Sequence, residues 1–336
     1  MPRFFAPALV ALGALAFAAP LHAADADNAP EQILPPTTQL YVRWDGVTAH
    51  NELYKKSVWG PVMAGPTGDN IRTLIAKAPK LLAGSVLADP LLEGKSPQEL
   101  KATLADLKAA EKLVDLLADK GIILAAEVRE PAPSIRGIGS ALGGLFGGKG
   151  PGAEAVLPDV QLLVVVPDAG DKAEVLNGSL RLLAKRLDMK VEAFAAAGRK
   201  GFQLDLQKED GERVLPLPVP VKLSAAWWVE GKHFVLYVGT RKPGGVVAEF
   251  TANAAKGGIT KHPLYQRCLK TGEFTSVTRG FADVAEAVGA VRSSLAPLVP
   301  GLKERLDGVG LTSVKSVVFA SGFEGKESRA LYEIDT

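Results

Sequence analysis

The chain has 336 residues, with 39 Lys and Arg against 37 Asp and Glu, 47% hydrophobic and 23% charged side chains, and a single cysteine. Such an even charge balance excludes a surface that holds nucleic acid or an anionic membrane by charge, and the composition excludes intrinsic disorder. With only Cys268 there is no intramolecular disulfide, so core burial has to hold the fold.

Residues 1–24 read as a signal peptide: Arg3 leads into the apolar run Phe4 to Ala19, Pro20 breaks it, and Ala23 and Ala24 supply small residues for cleavage. The run is shorter than the roughly 20 apolar residues of a membrane span. The expected location is therefore the periplasm, cell envelope or extracellular space, with no transmembrane segment after cleavage. Residues 25–38 read as a polar linker ending in Pro35-Pro36.

Gln39 to Trp44 alternates like a strand, and Asp45-Gly46 stops it. Helices are predicted from Thr48 towards Val58, from Ile71 to Leu82 and from Ser96 to Ala118. The last opens on Ser96, Pro97 and Glu99, the spacing of a capping box. Gly121 to Val128 and Val160 to Val166 are short apolar runs that read as buried strands. Asp171 and Glu174 repeat the capping spacing before an amphipathic helix that reaches Arg186.

Two hairpins are predicted next. Val191–Ala195 pairs with Phe202–Leu206 across Gly198 to Gly201, and Leu223–Val229 pairs with His233–Val238 across Glu230 to Lys232. Between them, prolines 216, 218 and 220 restrict the chain to an edge or an extended connector. Helices follow over 243–255 and 263–269. Then the opening order recurs: a strand over 274–281, Asp283, a helix over 284–295, and a hairpin of 314–320 with 328–334 across Gly322 to Gly325.

These readings give an α+β fold of mixed, mainly antiparallel sheets with packed helices, in two related tandem units of which the second is shorter. The first unit spans 39–272 and carries a Gly/Pro-rich insertion at 129–159; the second spans 273–336. A loop of the insertion's length is usually functional or disordered.

The insertion holds Gly143 to Lys149, a phosphate-loop spacing that fails where Gly150 replaces Ser or Thr and where Pro151 replaces a helix start. Ile135, Ile138, Leu142, Leu145 and Phe146 share one face if helical. That face either docks a partner or closes over the first unit's core. His50, His233 and His262 lack metal-ligand spacing, and the latter two sit at a hairpin turn and a helix start, both ordinarily solvated. No metal site, cofactor site or catalytic residue is expected.

Asp45 and Asp283 each follow a strand and precede a helix, the place of a capping residue. Cys268 reads as a helical residue packed as a small hydrophobe. Trp227 and Trp228 are adjacent on a predicted strand and point to opposite faces. One belongs to the core, which leaves Trp228 as a candidate surface residue.

Leu34-Pro-Pro-Thr-Thr-Gln-Leu-Tyr-Val-Arg-Trp-Asp45, together with Ser316 to Gly325, resembles a family of uncharacterised exported bacterial proteins. The resemblance implies a signal peptide followed by recurring α+β units, and no activity, cofactor or catalytic residue. Members of that family are often longer, which implies that this chain lacks part of its second unit. The expected function is non-enzymatic binding of an unknown protein or small ligand in the envelope, through the insertion or an open sheet edge left by an unfinished second unit. The alternatives are a metal-independent envelope hydrolase and a truncated copy of a longer protein.

Overall fold

A computed structural model describes residues 29–67, 70, 112–113, 115–129, 158–206, 222–295, 301–308 and 310–336. The strands are β1 (Leu40–Trp44), β2 (Ile122–Arg129), β3 (Asp159–Val166), β4 (Glu192–Ala196), β5 (Arg199–Asp205), β6 (Ser224–Glu230), β7 (His233–Gly239), β8 (Thr275–Asp283), β9 (Ser316–Glu324) and β10 (Glu327–Asp335). They form one antiparallel sheet in the order β10-β9-β8-β1-β2-β3-β7-β6-β5-β4. The fold is therefore α+β, and every described strand pair is antiparallel.

Strand placement follows from apolar content. β2 and β3 (IILAAEVR and DVQLLVVV) lie inside the sheet, with Ile123, Ala125, Leu163 and Val165 buried on one face while Val160 and Leu162 on the other stay exposed. One face carries Tyr41, Leu163, Tyr237 and Phe281 and is covered by α4 (Pro243–Lys256) and α5 (Pro263–Lys270). The other carries Val166, Trp227 and Phe234 and is covered by α3 (Ala173–Arg186), with Leu113, Leu116 and Leu117 packed alongside. A third cluster around Trp44, Val277 and Phe323 receives Leu53 and Tyr54 from α1 (Asn51–Lys56), which α2 (Trp59–Ala64) follows. Helices α6 (Val284–Leu295) and α7 (Leu302–Gly308) connect β8 to β9.

Local chemistry explains the helix ends. Pro243 and Pro263 occupy first helical positions, where a missing N–H costs nothing. Gly257, at φ 87°, closes α4 in the left-handed conformation that glycine adopts without a Cβ penalty. The capping spacing before α3 marks the right helix but makes no cap: its N-cap is Lys172, without a side-chain cap bond, and Asp171 pairs with Lys172 instead.

The hairpins form with shifted turns. Ala197 and Gly198, both at positive φ, make the tight β4–β5 turn. The last hairpin turns at Gly325-Lys326, while Gly322 lies inside β9 beside the β8 irregularity at Ser276/Thr278. A Cβ at Gly322 would fall 1.9 Å from the Thr275 carbonyl oxygen, so its glycine serves close strand approach and not a turn. Residues 30–33, inside the segment read as a linker, form a short helix whose Ile33, with the adjacent Leu34, enters the main core.

β1 and β8 meet inside the sheet, as its fourth and third strands counted from the β10 edge. Asp45 N donates to Val277 O at 3.1 Å and Asp283 N donates to Gln39 O at 2.6 Å, so the pair is tied alike at both ends. From this seam the order runs outward through β2 and β3 on one side and through β9 and β10 on the other. β3 is then covered by β7, whereas β10 is the last strand.

Candidate functional site

Four regions of the sheet carry clustered polar groups: the seam, a cluster that meets α4, a cleft beside β4, and the β10 edge.

At the seam, buried Glu31 accepts from Tyr41 Oη at 2.8 Å and from Arg43 Nη1 at 2.6 Å. Arg43 Nε donates to Asp45 Oδ1, and Asp45 Oδ2 lies 3.6 Å from His50 Nε2. Arg279 stands opposite Arg43 on β8 and is buried too. Burial works against the Glu31 carboxylate, but bonded Arg43 outweighs it and holds the pKa below the usual range. Burial, with Glu31 adding to it, pushes the Tyr41 hydroxyl far up. His50 has neither ring nitrogen hydrogen-bonded, and burial lowers its pKa to about 4. The imidazole is therefore neutral near pH 7. The distance to Asp45 exceeds a hydrogen bond, so the two do not form an acid–base dyad in this geometry.

A second cluster fastens α4 to the sheet. Arg129 Nη2 donates to Glu249 at 2.6 Å, Arg241 bonds the same carboxylate, and Glu127 accepts from Thr37 at 2.6 Å. Burial raises the Glu127 pKa. These groups satisfy one another and present no free acceptor set for a ligand.

The cleft of about 1630 Å³ lies between the C-terminal end of α3, β4 and the start of α4. Arg181, Lys185, Lys190, Lys222, Arg241 and Lys242 line it, against three acidic side chains. Lys190 pairs with Glu192, Arg241 pairs with Glu249, and Arg181 sits 4.7 Å over the Phe202 ring, so part of this charge is already committed. No histidine or cysteine lines it.

β10 is nine residues long and pairs with β9 along its full length, from Glu327 opposite Glu324 to Asp335 opposite Ser316. No described strand pairs with its outer edge. Leu331 lies on the face of α5, while Tyr332 and Ile334 lie on the opposite face; they are 40%, 66% and 60% exposed. Tyr332 stacks on Phe319 at 6.2 Å. Arg267 of α5 holds the strand from one side, with Nε 2.7 Å from Glu333 and a second bond to Asp335, and Ser316 Oγ donates to Asp335 at 2.7 Å. Of the devices that blunt an edge, the strand lacks Lys and Pro but carries charged side chains at Glu327, Arg329, Glu333 and Asp335. β4, at the far edge, has five residues.

The structure redistributes the residues singled out in the sequence. Trp228 is 2% exposed, not a surface residue: it packs edge-on against Phe250 of α4 and donates from Nε1 to Glu230 at 3.2 Å. Because helices cover both faces at β6, neither Trp227 nor Trp228 reaches solvent. Ile135, Ile138, Leu142, Leu145 and Phe146 lie outside the described residues, as do the glycine-rich loop and the capping spacing at Ser96.

His233 is buried, not solvated, and its Nδ1 accepts from Asp168 N at 3.1 Å. His262 caps α5 by accepting from Leu264 N at 3.2 Å, and it stacks on Phe281. Cys268 is buried in α5, and burial raises its thiol pKa to about 11, which removes it as a nucleophile. Asp283 is a cap, accepting from Glu286 N at 3.1 Å; Asp45 is not, since its oxygens turn to Arg43 and His50.

Sequence reasoning passed over the Glu31–Arg43 pair, because Glu31 lies in what reads as a linker. The pairing of β10 with β9 was expected from the sequence as a hairpin, but the place of that hairpin in the sheet order was not. Among the described residues, no group of three His, Cys, Asp or Glu side chains is placed to hold a metal ion, and no helix is long and apolar enough to cross a membrane. Comparison with family models, with curated proteins and with solved structures returned no match.

Proposed function

We propose that this chain is a non-enzymatic interaction protein exported to the periplasm or cell envelope, and that a partner adds a strand to the outer edge of β10. One observation carries the reading: a nine-residue strand, free of Lys and Pro, offers its backbone at the edge with Leu331, Tyr332 and Ile334 exposed. Main-chain N–H and C=O groups along such an edge provide affinity, and the alternating side chains provide selectivity. The signal-peptide reading of residues 1–24 supports the location.

The rival reading, a metal-independent hydrolase, draws on His50 beside Asp45. It requires a nucleophile and a cleft at that pair, and the cleft lies instead beside β4, with no histidine in its wall.

A photo-crosslinking amino acid at Tyr332 tests the proposal in cells, beside the same group at Leu183 on α3, another exposed apolar position. Adducts from position 332 and not from 183 are expected. Absence of any adduct at 332 in the folded, exported protein overturns the reading.

A further inference from the structure

β10 carries a second property beyond being open: it is complementary to itself. An antiparallel copy related by a two-fold axis through Leu331 would place residues whose numbers sum to 662 opposite one another, on a shared face of the joined sheet. On the face of α5, Leu331 then meets Leu331 of the second copy, and Arg329 meets Glu333 of the second copy twice. On the other face, Ala330 meets the copy's Tyr332, which gives the ring room over a methyl group, and Ser328 meets the copy's Ile334.

The unfavourable contact is Glu327 against the copy's Asp335 at the two ends. Asp335 already has an arginine of its own chain, Arg267, while Arg329, which lies 2.9 Å from Glu327 and from Glu324, is shared between these carboxylates and the copy's Glu333. Neighbouring registers match less well. A shift of one residue is forbidden, because it would put every side chain on the wrong face. A two-residue shift one way sets Glu327 against Glu333 and Arg329 against Leu331; the other way keeps an opposite-charge pair, Arg329 against Asp335, but sets Leu331 against Glu333, and the Glu333→Arg variant tells that register from the one centred on Leu331.

Resting on the β10 edge as the binding surface, we propose that its partner is a second copy of this chain, joined by antiparallel β10–β10 pairing centred on Leu331. The two ten-stranded sheets become one continuous sheet across the two-fold axis. A single strand pair buries less than the roughly 1,600 Å² of a standard interface, so the dimer is concentration-dependent and not obligate.

The test is sedimentation or light scattering of the purified full chain from about 1 μM to about 1 mM. Arg329→Glu and Glu333→Arg are measured alone and as an equimolar mixture, with circular dichroism confirming that each is folded. The parent is expected to pass from monomer to dimer. Each variant alone sets like charges opposite one another and weakens association by at least about tenfold. In the mixture, the Arg329→Glu chain is acidic at both positions and the Glu333→Arg chain is basic at both. Each of the two cross-strand pairs then joins opposite charges, so heterodimers recover the parent's affinity.

A parent that stays monomeric throughout, a variant that associates like the parent, or a mixture that stays apart overturns the proposal. Position 332 separates this outcome from failure of the edge reading. Crosslinks from it to a different protein, with the pure chain monomeric, keep the edge and remove self-pairing; no adduct at all removes both.

Discussion

β1 and β8 are tied to each other by matching backbone bonds at their ends, yet the aspartates that terminate them behave differently. Asp283 turns its side chain to the first turn of α6 and accepts from Glu286 N. Asp45, in the corresponding place, turns to Arg43 and lies beside His50. Position after a strand therefore does not decide an aspartate's role; its neighbours do. At β1 a half-buried arginine two residues earlier competes for the carboxylate, whereas the residue two before Asp283 is the buried Phe281, which leaves Asp283 to the helix.

The sharpest way to break this comparison is at Arg43. Arg43→Met leaves Glu31 buried with Tyr41 as its remaining bonded partner, and removal of one member of a buried pair costs about 3–5 kcal/mol. Chemical denaturation should show that loss, and the double variant E31Q/R43M should recover only part of it, because the Glu31 charge is gone while Asp45 has still lost its bonded arginine. A double variant as unstable as R43M would mean that shape, not charge, dominates the seam.

His50 sharpens the comparison through pH. Its folded pKa of about 4 lies below the ordinary imidazole value near 6.5, so the unfolded chain takes up a proton that the folded chain refuses. The stability due to neutral His50 is present above pH 6.5 and is lost as pH falls towards 4, by up to about 3 kcal/mol. His262, whose pKa burial also lowers, adds a slope of the same sign. The difference between the parent and His50→Phe isolates the His50 share: the variant should lose less stability between pH 7 and pH 4.5. Parallel pH profiles would refute a buried neutral imidazole.

The smallest effect is expected at Asp283. Asp283→Ala removes one cap bond and should cost about 1 kcal/mol. Asp283→Ser should restore most of it, as measured by thermal melting; equal melting temperatures for parent and Asp283→Ala would show that α6 does not depend on this cap.

Periodicity and stop signals made much of this fold legible. Pro243 and Pro263 marked α4 and α5, and the β6–β7 hairpin formed close to its expected bounds because alternating apolar residues flank a short Gly-Lys turn. Two kinds of feature stayed hidden. Gly322 resembled a turn glycine, but its reason is the carbonyl of Thr275, far earlier in the chain, and local pattern carries no such distance. Glu31 resembled solvated linker because its partner, Arg43, is reached only once the sheet has formed. The same holds for Trp228, whose burial depends on α4 crossing β6. The candidate edge was legible as the second strand of the last hairpin; that it is outermost depends on sheet order, which single-sequence periodicity does not encode.

The position of β1 also bears on how the molecule is made. Its neighbours, β2 and β8, lie far along the chain, with Val42 paired to Leu124 on one side and to Gly280 on the other. Closing such distant contacts is slow, and entropy is spent before they reward the chain. This part of the sheet is thus completed only late in the chain, so Tyr41, Arg43 and Glu31 remain without part of their shelter until residues 275–283 arrive. A ribosome-bound chain would stay open along this seam until β8 has emerged, which commits the closing of the β1 pairing to a late stage of synthesis.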